Sequence, residues 1–173
     1  MAELILRPDA VTAMGSWDPT DTSAVIAILG DPGDTHTVYN TNANQPMQLS
    51  LADIPELYSE ETFTTITATI NARKGGKGNA STSVKILDGF DEVVSTDISI
   101  SSVGITAYTT ELGDISSMSV SDINDLQFYM IGLDNTQAFY QDVWVTLTYQ
   151  GPPPVQGVKL SSGKLVLTGK VTF

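Results

Sequence analysis

The 173-residue sequence contains no cysteine and a single histidine, His36. Without cysteine, disulfide scaffolds, thiolate zinc sites, iron–sulfur clusters and cysteine nucleophiles are excluded. One histidine leaves nothing for a multi-histidine metal site. Bases are scarce as well: 8 Lys and Arg stand against 20 Asp and Glu, for a formal net charge of −12. A chain so acidic is poorly suited to nucleic acid, where each phosphate contact needs a Lys or Arg, and equally to an anionic membrane surface. Long apolar runs are missing too. The longest spans residues 24–29, far short of the ~20 residues a membrane-crossing helix requires. The start, Met1-Ala-Glu-Leu-Ile-Leu-Arg-Pro8, lacks the basic and apolar regions of a secretory signal. The expectation is a soluble chain, a complete small reading frame not exported by the general route. Helix formers are thin, with only 6 Glu beside 14 Asp.

What the sequence has in quantity is Ser and Thr, 37 residues together. Thr with Val and Ile favours strands, and Asp with Gly, Asn and Pro favours turns. In residues 64–73 Ile66, Ala68, Ile70 and Ala72 share one face and Thr65, Thr67, Thr69 and Asn71 the other, the period of a half-buried strand. The glycine-rich Lys74-Gly-Gly-Lys-Gly-Asn79 reads as a hairpin loop. Residues 80–87 and 92–100 resume the alternation around Asp88-Gly-Phe-Asp91, so the three segments are expected to form a meander. Residues 126–133 are apolar on both faces, as suits a central strand, and 142–149 alternate through Val143, Val145, Leu147 and Tyr149. Weaker strands are expected at 4–7, 25–29, 37–39, 47–51 and 104–110, with a helical turn at 120–125. The fold class is therefore all-β: an antiparallel β-sandwich of jelly-roll type.

The charge divides at Gly151-Pro-Pro-Pro154. Residues 1–150 carry all 20 acids and 5 bases, a net of −15, whereas 151–173 carry 3 lysines and no acid, a net of +3. The prolines cannot donate to a ladder and prefer an extended conformation. The organisation expected is a sandwich over 1–150, a spacer at 151–154 and an extended or hairpin arm over 155–173. In that arm Val158 and Leu160 face Leu165 and Leu167 across Ser161-Ser-Gly-Lys164. With Lys170 and Phe173 these residues are expected to form an interaction surface for a partner or a neighbouring copy.

No catalytic constellation is present. His36 beside Asp34 has no sequence partner that completes a triad. Gly75-Gly-Lys-Gly78 lacks the spacing of a phosphate-binding loop. The turn carboxylates of Asp31-Pro-Gly-Asp34, Asp88-Gly-Phe-Asp-Glu92 and Asp122 with Asp125 are of the type that coordinates calcium, but none matches an EF-hand and Asp is expected in turns regardless. No cofactor is expected, with calcium the one ion to consider. Aromatic residues near loops and strand ends (Trp17, Tyr39, Phe90, Tyr108, Phe139 and Tyr140) offer stacking surfaces for sugar rings. Trp17 and Tyr140 are the candidates for glycan contact.

Several segments resemble a β-sandwich module of tailed-phage and prophage virion proteins. They are Leu6-Arg-Pro-Asp9, Gly15-Ser-Trp-Asp-Pro-Thr20, the short apolar strand at 24–29 with the Asp-bearing 31–40, and Leu49-Ser-Leu-Ala-Asp-Ile-Pro55. The long strand and glycine loop over 65–78, Ser121-Asp-Ile-Asn-Asp-Leu-Gln127 and Val143-Trp-Val-Thr-Leu147 continue the pattern, which covers roughly residues 4–149. Bases usual in that pattern are mostly Thr, Gln and Asn here, and the proline-linked arm has no counterpart in it. The resemblance implies a non-enzymatic phage virion structural protein assembled in the host cytoplasm, most simply a capsid decoration or cement protein on the head exterior. Its partners would be the major capsid protein or neighbouring copies, with a homo-oligomer such as a trimer expected. The alternative is a carbohydrate- or receptor-binding module of a tail or fibre.

Overall fold

The computed structural model describes residues 1–40, 44–88, 91–133 and 137–151, together with residues 160–161 and 164–165. The chain runs through β1 (Ala2–Leu6), β2 (Pro8–Met14), β3 (Trp17–Asp18), α1 (Thr22–Gly30), β4 (Val38–Asn40), β5 (Pro46–Leu51) and β6 (Phe63–Lys74). It continues with β7 (Ala80–Asp88), β8 (Asp91–Ile100), β9 (Thr106–Asp114), α2 (Val120–Asn124), β10 (Leu126–Gly132) and β11 (Ala138–Tyr149). Two antiparallel sheets result. One has the order β3-β4-β11-β6-β9, with β1 on the later half of β11; the other has the order β2-β5-β10-β7-β8. Their inner faces enclose a core of Val, Ile, Leu, Met and aromatic side chains, among them Phe63, Ile66, Ile86, Phe128 and Leu147. The all-β antiparallel sandwich is as expected.

Strict alternation specifies the central strands. On β6 Ile66, Ala68, Ile70 and Ala72 are fully buried, and on β11 Val143, Val145 and Leu147 are. A slip by one residue would turn each of these sets to solvent. β10 lies between β5 and β7 as a central strand, with Leu126, Phe128 and Met130 in the core and Gln127, Tyr129 and Ile131 half-covered on its other face. α2 carries a full capping box between Ser119 and Asp122, which accounts for the expected helical turn.

Three expectations need correction. Residues 25–29 belong to a helix instead of a strand. Asp21 caps α1 by accepting the Ser23 N–H at 2.8 Å, and the buried residues Val25, Ile28 and Leu29 follow helical spacing. A short, uniformly apolar run is ambiguous by periodicity alone, and the cap decides it. The meander also fails at its first turn. β6 pairs with β11 and β9, and β7 pairs with β10 and β8, so the loop 75–79 crosses from one sheet to the other. Both strands bury an alternating face, and two facing sheets satisfy this as well as one. Only the β7–β8 hairpin of the meander forms. Finally, β2 was not expected. Its register with β5 shifts twice, after Pro8 and after Val11, so no period-2 pattern survives in Pro-Asp-Ala-Val-Thr-Ala-Met.

In the segment beyond Gly151, β12 (Leu160–Ser161) pairs antiparallel with β13 (Lys164–Leu165), Leu160 opposite Leu165. Val158, Leu167, Lys170 and Phe173 lie outside the described residues.

Candidate functional site

The two expected glycan contacts are core residues. Trp17 is 1% exposed and Tyr140 0%. Their rings meet at 5.5 Å between centroids, tilted by 51°, an arrangement contributing about 1 kcal/mol beyond burial. The indole Nε1–H donates to the Pro46 carbonyl at 3.0 Å. The Tyr140 hydroxyl meets Thr82 Oγ1 at 2.6 Å and so links the two sheets. Both rings have an apolar body and one satisfied polar atom, as buried Trp and Tyr require. Neither can reach a sugar.

Their chain neighbours face outward instead. Asp18 pairs with Tyr39, Tyr39 with Phe139, and Phe139 with Arg73, in one row across β3, β4, β11 and β6. Directly paired residues share a face, so Trp17, Tyr140 and Ala72 point to the core while this row covers the outside. Tyr39 and Phe139 are half-buried and in ring contact, 5.1 Å between centroids. The Tyr39 hydroxyl donates to Asp18 Oδ2, and this hydrogen bond is the main reason its pKa is raised. The Arg73 guanidinium lies 4.1 Å from the centroid of the Phe139 ring, a cation–π contact. Beneath that ring runs the backbone of the loop after β6, its Gly75 N–H bonded to the Gln137 carbonyl at 2.7 Å.

This row borders an open cleft of about 500 Å³ lined by Asp18, Pro19, Thr35, His36, Arg73 and Ile105, among others. Asp34 holds the cleft's rim: it accepts the His36 backbone N–H at 2.8 Å and meets His36 Nδ1 at 2.6 Å. These two hydrogen bonds hold the Asp34 carboxyl below the usual carboxylate range. The His36 side chain is 79% exposed. Two other hollows lie beside Glu60 and Glu61 and beside Asp9 and Thr22. The cleft holds the Asp18 carboxylate, the His36 imidazole, the Arg73 guanidinium and the Thr35 and Thr37 hydroxyls, and two of these, Asp18 and Arg73, contact the Tyr39 and Phe139 rings of the row. That set can receive a polar ring molecule carrying both C–H faces and hydroxyl groups.

The remaining sequence candidates have structural roles. The Tyr108 hydroxyl accepts from the backbone N–H groups of Ser101 and Ser102, at 3.1 and 2.9 Å. Phe90 lies outside the described residues. Asp31 accepts the Gly33 N–H and Asp122 caps α2, as turn-forming carboxylates do. Among the described residues no three His, Asp or Glu side chains converge as a metal site. The outward row itself was readable only in part. Tyr39 and Phe139 were among the aromatic candidates, but Asp18 and Arg73 carry no motif and join them solely through strand register.

No protein-family model matches the sequence, and no curated protein sequence matches it. Solved structures do. The C-terminal CBM6 of LamC, a marine laminarinase from Zobellia galactanivorans, superposes with a TM-score of 0.52 at 10% identity, over 85% of this chain and 99% of that one. The sandwich is a jelly roll like that of a carbohydrate-binding module. The GH26–CBM35 β-(1,4)-mannanase of Podospora anserina matches with a TM-score of 0.44 at 12% identity, over 88% of this chain and 28% of that one. A family two carbohydrate esterase from Cellvibrio japonicus matches at 0.38 and 15%, over 89% and 36%.

Proposed function

We propose that this protein is a non-catalytic carbohydrate-binding module, with the glycan held in the cleft beside the Asp18–Tyr39–Phe139–Arg73 row. The observation that carries the reading is that row. Two touching aromatic side chains sit on an outer sheet face between Asp18 and Arg73, and these two flanking residues line a cleft of about 500 Å³. Aromatic rings attract the C–H faces of sugars, and fixed polar groups orient their hydroxyls. The jelly-roll likeness to a carbohydrate-binding module supports it. The test is a glycan array followed by titration of any hit against Tyr39→Ala and Phe139→Ala. Loss of binding in both, with unfolding temperatures near that of the parent, is the expected result. Retention of full affinity by both variants, or no bound glycan at all, would sink the proposal.

A second reading, the virion decoration or cement protein, draws on the β12–β13 hairpin. A short antiparallel pair beyond the triple proline is what an arm that adds strands to a neighbour would contain. Deleting residues 152–173 should then abolish incorporation into particles. Unchanged incorporation would remove this reading and leave the first untouched.

A further inference from the structure

Arg73 stands apart from the other ionic groups of this surface. Arg7 pairs with Asp142 and His36 with Asp34. Arg73 has no carboxylate within 4.0 Å among the described residues, although acids outnumber bases 20 to 5 over residues 1–150. It is instead held over the Phe139 ring and lines the cleft. A guanidinium over a ring keeps the N–H donors around its rim for another partner. The carboxylates beside the cleft have other partners, Asp18 the Tyr39 hydroxyl through Oδ2 and Asp34 His36, and Asp18 keeps its Oδ1 lone pairs as acceptors for a ligand.

A ligand that fills the cleft covers this cation. Covering a charge without pairing it carries a desolvation cost that a neutral sugar hydroxyl offsets poorly. A carboxylate or sulfate oxygen offsets it well, through charge-assisted hydrogen bonds to the planar fork. We infer that the cleft selects an acidic sugar residue, its anionic group on Arg73 and its ring hydroxyls toward Asp18 and His36. This rests on the glycan-binding reading above and deepens it. The net negative body disfavours anionic polymers at long range, so specificity has to come from this local contact, which the 8–10 Å screening length of physiological salt leaves intact.

The test compares three probes by calorimetric titration of the full chain: oligogalacturonate, the same oligomer with its carboxyl groups reduced, and a sulfated galactan of similar length. The parent should bind at least one acidic probe about tenfold or more tighter than the reduced oligomer. Whichever acidic probe wins identifies the anionic group. Arg73→Gln should erase that preference while Arg73→Lys keeps a reduced part of it, since an ammonium is a point charge without the fork. Unchanged melting of both variants shows that the fold is intact. Equal affinity for acidic and reduced probes, or an undiminished preference in Arg73→Gln, overturns the inference and leaves the glycan-binding reading standing. Failure of every glycan, neutral ones on the array included, overturns both.

Discussion

A Cβ built on Gly75 would lie 2.4 Å from Cε2 of Phe139 and 3.2 Å from the Gln137 carbonyl oxygen. The loop after β6 thus approaches the Phe139 ring more closely than any side chain allows, and the ring in turn carries Arg73. Gly75→Ala should push the ring aside at a cost of about 1–2 kcal/mol, the usual penalty of overpacking. Thermal unfolding reads the cost, and weaker glycan binding in the same variant reads the displaced platform. A change in neither would mean that the ring has room to move. Tyr140 makes a different residue-scale prediction. Burial raises its pKa from 10.0 to about 12. The fold therefore favours the neutral phenol, and this contribution is complete below pH 10 and lost as the pH climbs toward 12. Tyr140→Phe should be less stable at neutral pH, by about 1 kcal/mol for the unpaired Thr82 hydroxyl. It should also lose less stability than the parent between pH 10 and 12. Parallel alkaline curves for the two proteins would refute the assignment.

At the scale of elements, one ion pair, buried on its carboxylate side, joins two corners of the sandwich. Arg7, in the crossover from β1 to β2, contacts Asp142 at 2.5 Å beside the bulge of β11, and its guanidinium lies 5.4 Å from the Trp144 ring centroid. Asp142 is 3% exposed. Desolvation raises its pKa, with Arg7 opposing the shift. Removing Arg7 leaves a buried carboxylate without its counter-charge, so Arg7→Gln should cost about 3 kcal/mol at pH 7. The sign with pH follows. A raised folded pKa means that the charged form is disfavoured in the fold, so stability lost above the ordinary carboxylate pKa returns as acid protonates Asp142. The gap between Arg7→Gln and the parent in urea denaturation should narrow from pH 7 to pH 4. The same bulge shows why some elements were legible and others were not. Strands whose apolar residues alternate over most of their length, β6, β7 and the later half of β11, could be read directly because that alternating set faces the core. β2 could not, since two bulges interrupt its phase. Nor could the partner of a strand be read from its own residues: β6 and β7 look like neighbours in one sheet and lie in two. The candidate site failed for the same reason, one residue at a time. Trp17 and Tyr140 are each adjacent to an outward member of the row, and an aromatic letter carries no mark of which face it takes.

For the whole molecule, β11 supplies a large part of the described core through Tyr140, Val143, Val145, Leu147 and Tyr149. Tyr149 packs its ring edge-on against Phe63 and Tyr58 at 5.7 and 5.6 Å between centroids. The triple proline and the change of charge at Gly151 make the acidic body and the basic segment after it separate units by expectation. Stability scales with apolar area removed from water, and a lone hairpin removes little by itself. A chain ending at Gly151 should unfold within a few degrees of the full-length protein and with the same cooperativity, as read by calorimetry. Its net charge becomes −15 instead of −12. If the lysines of the segment rest against the acidic body, truncation should cost more at low salt than at high salt, because screening weakens only the charged part of such a contact. A large, salt-independent loss would instead mean that the segment supplies apolar packing to the sandwich, and the division at Gly151 would have to be abandoned.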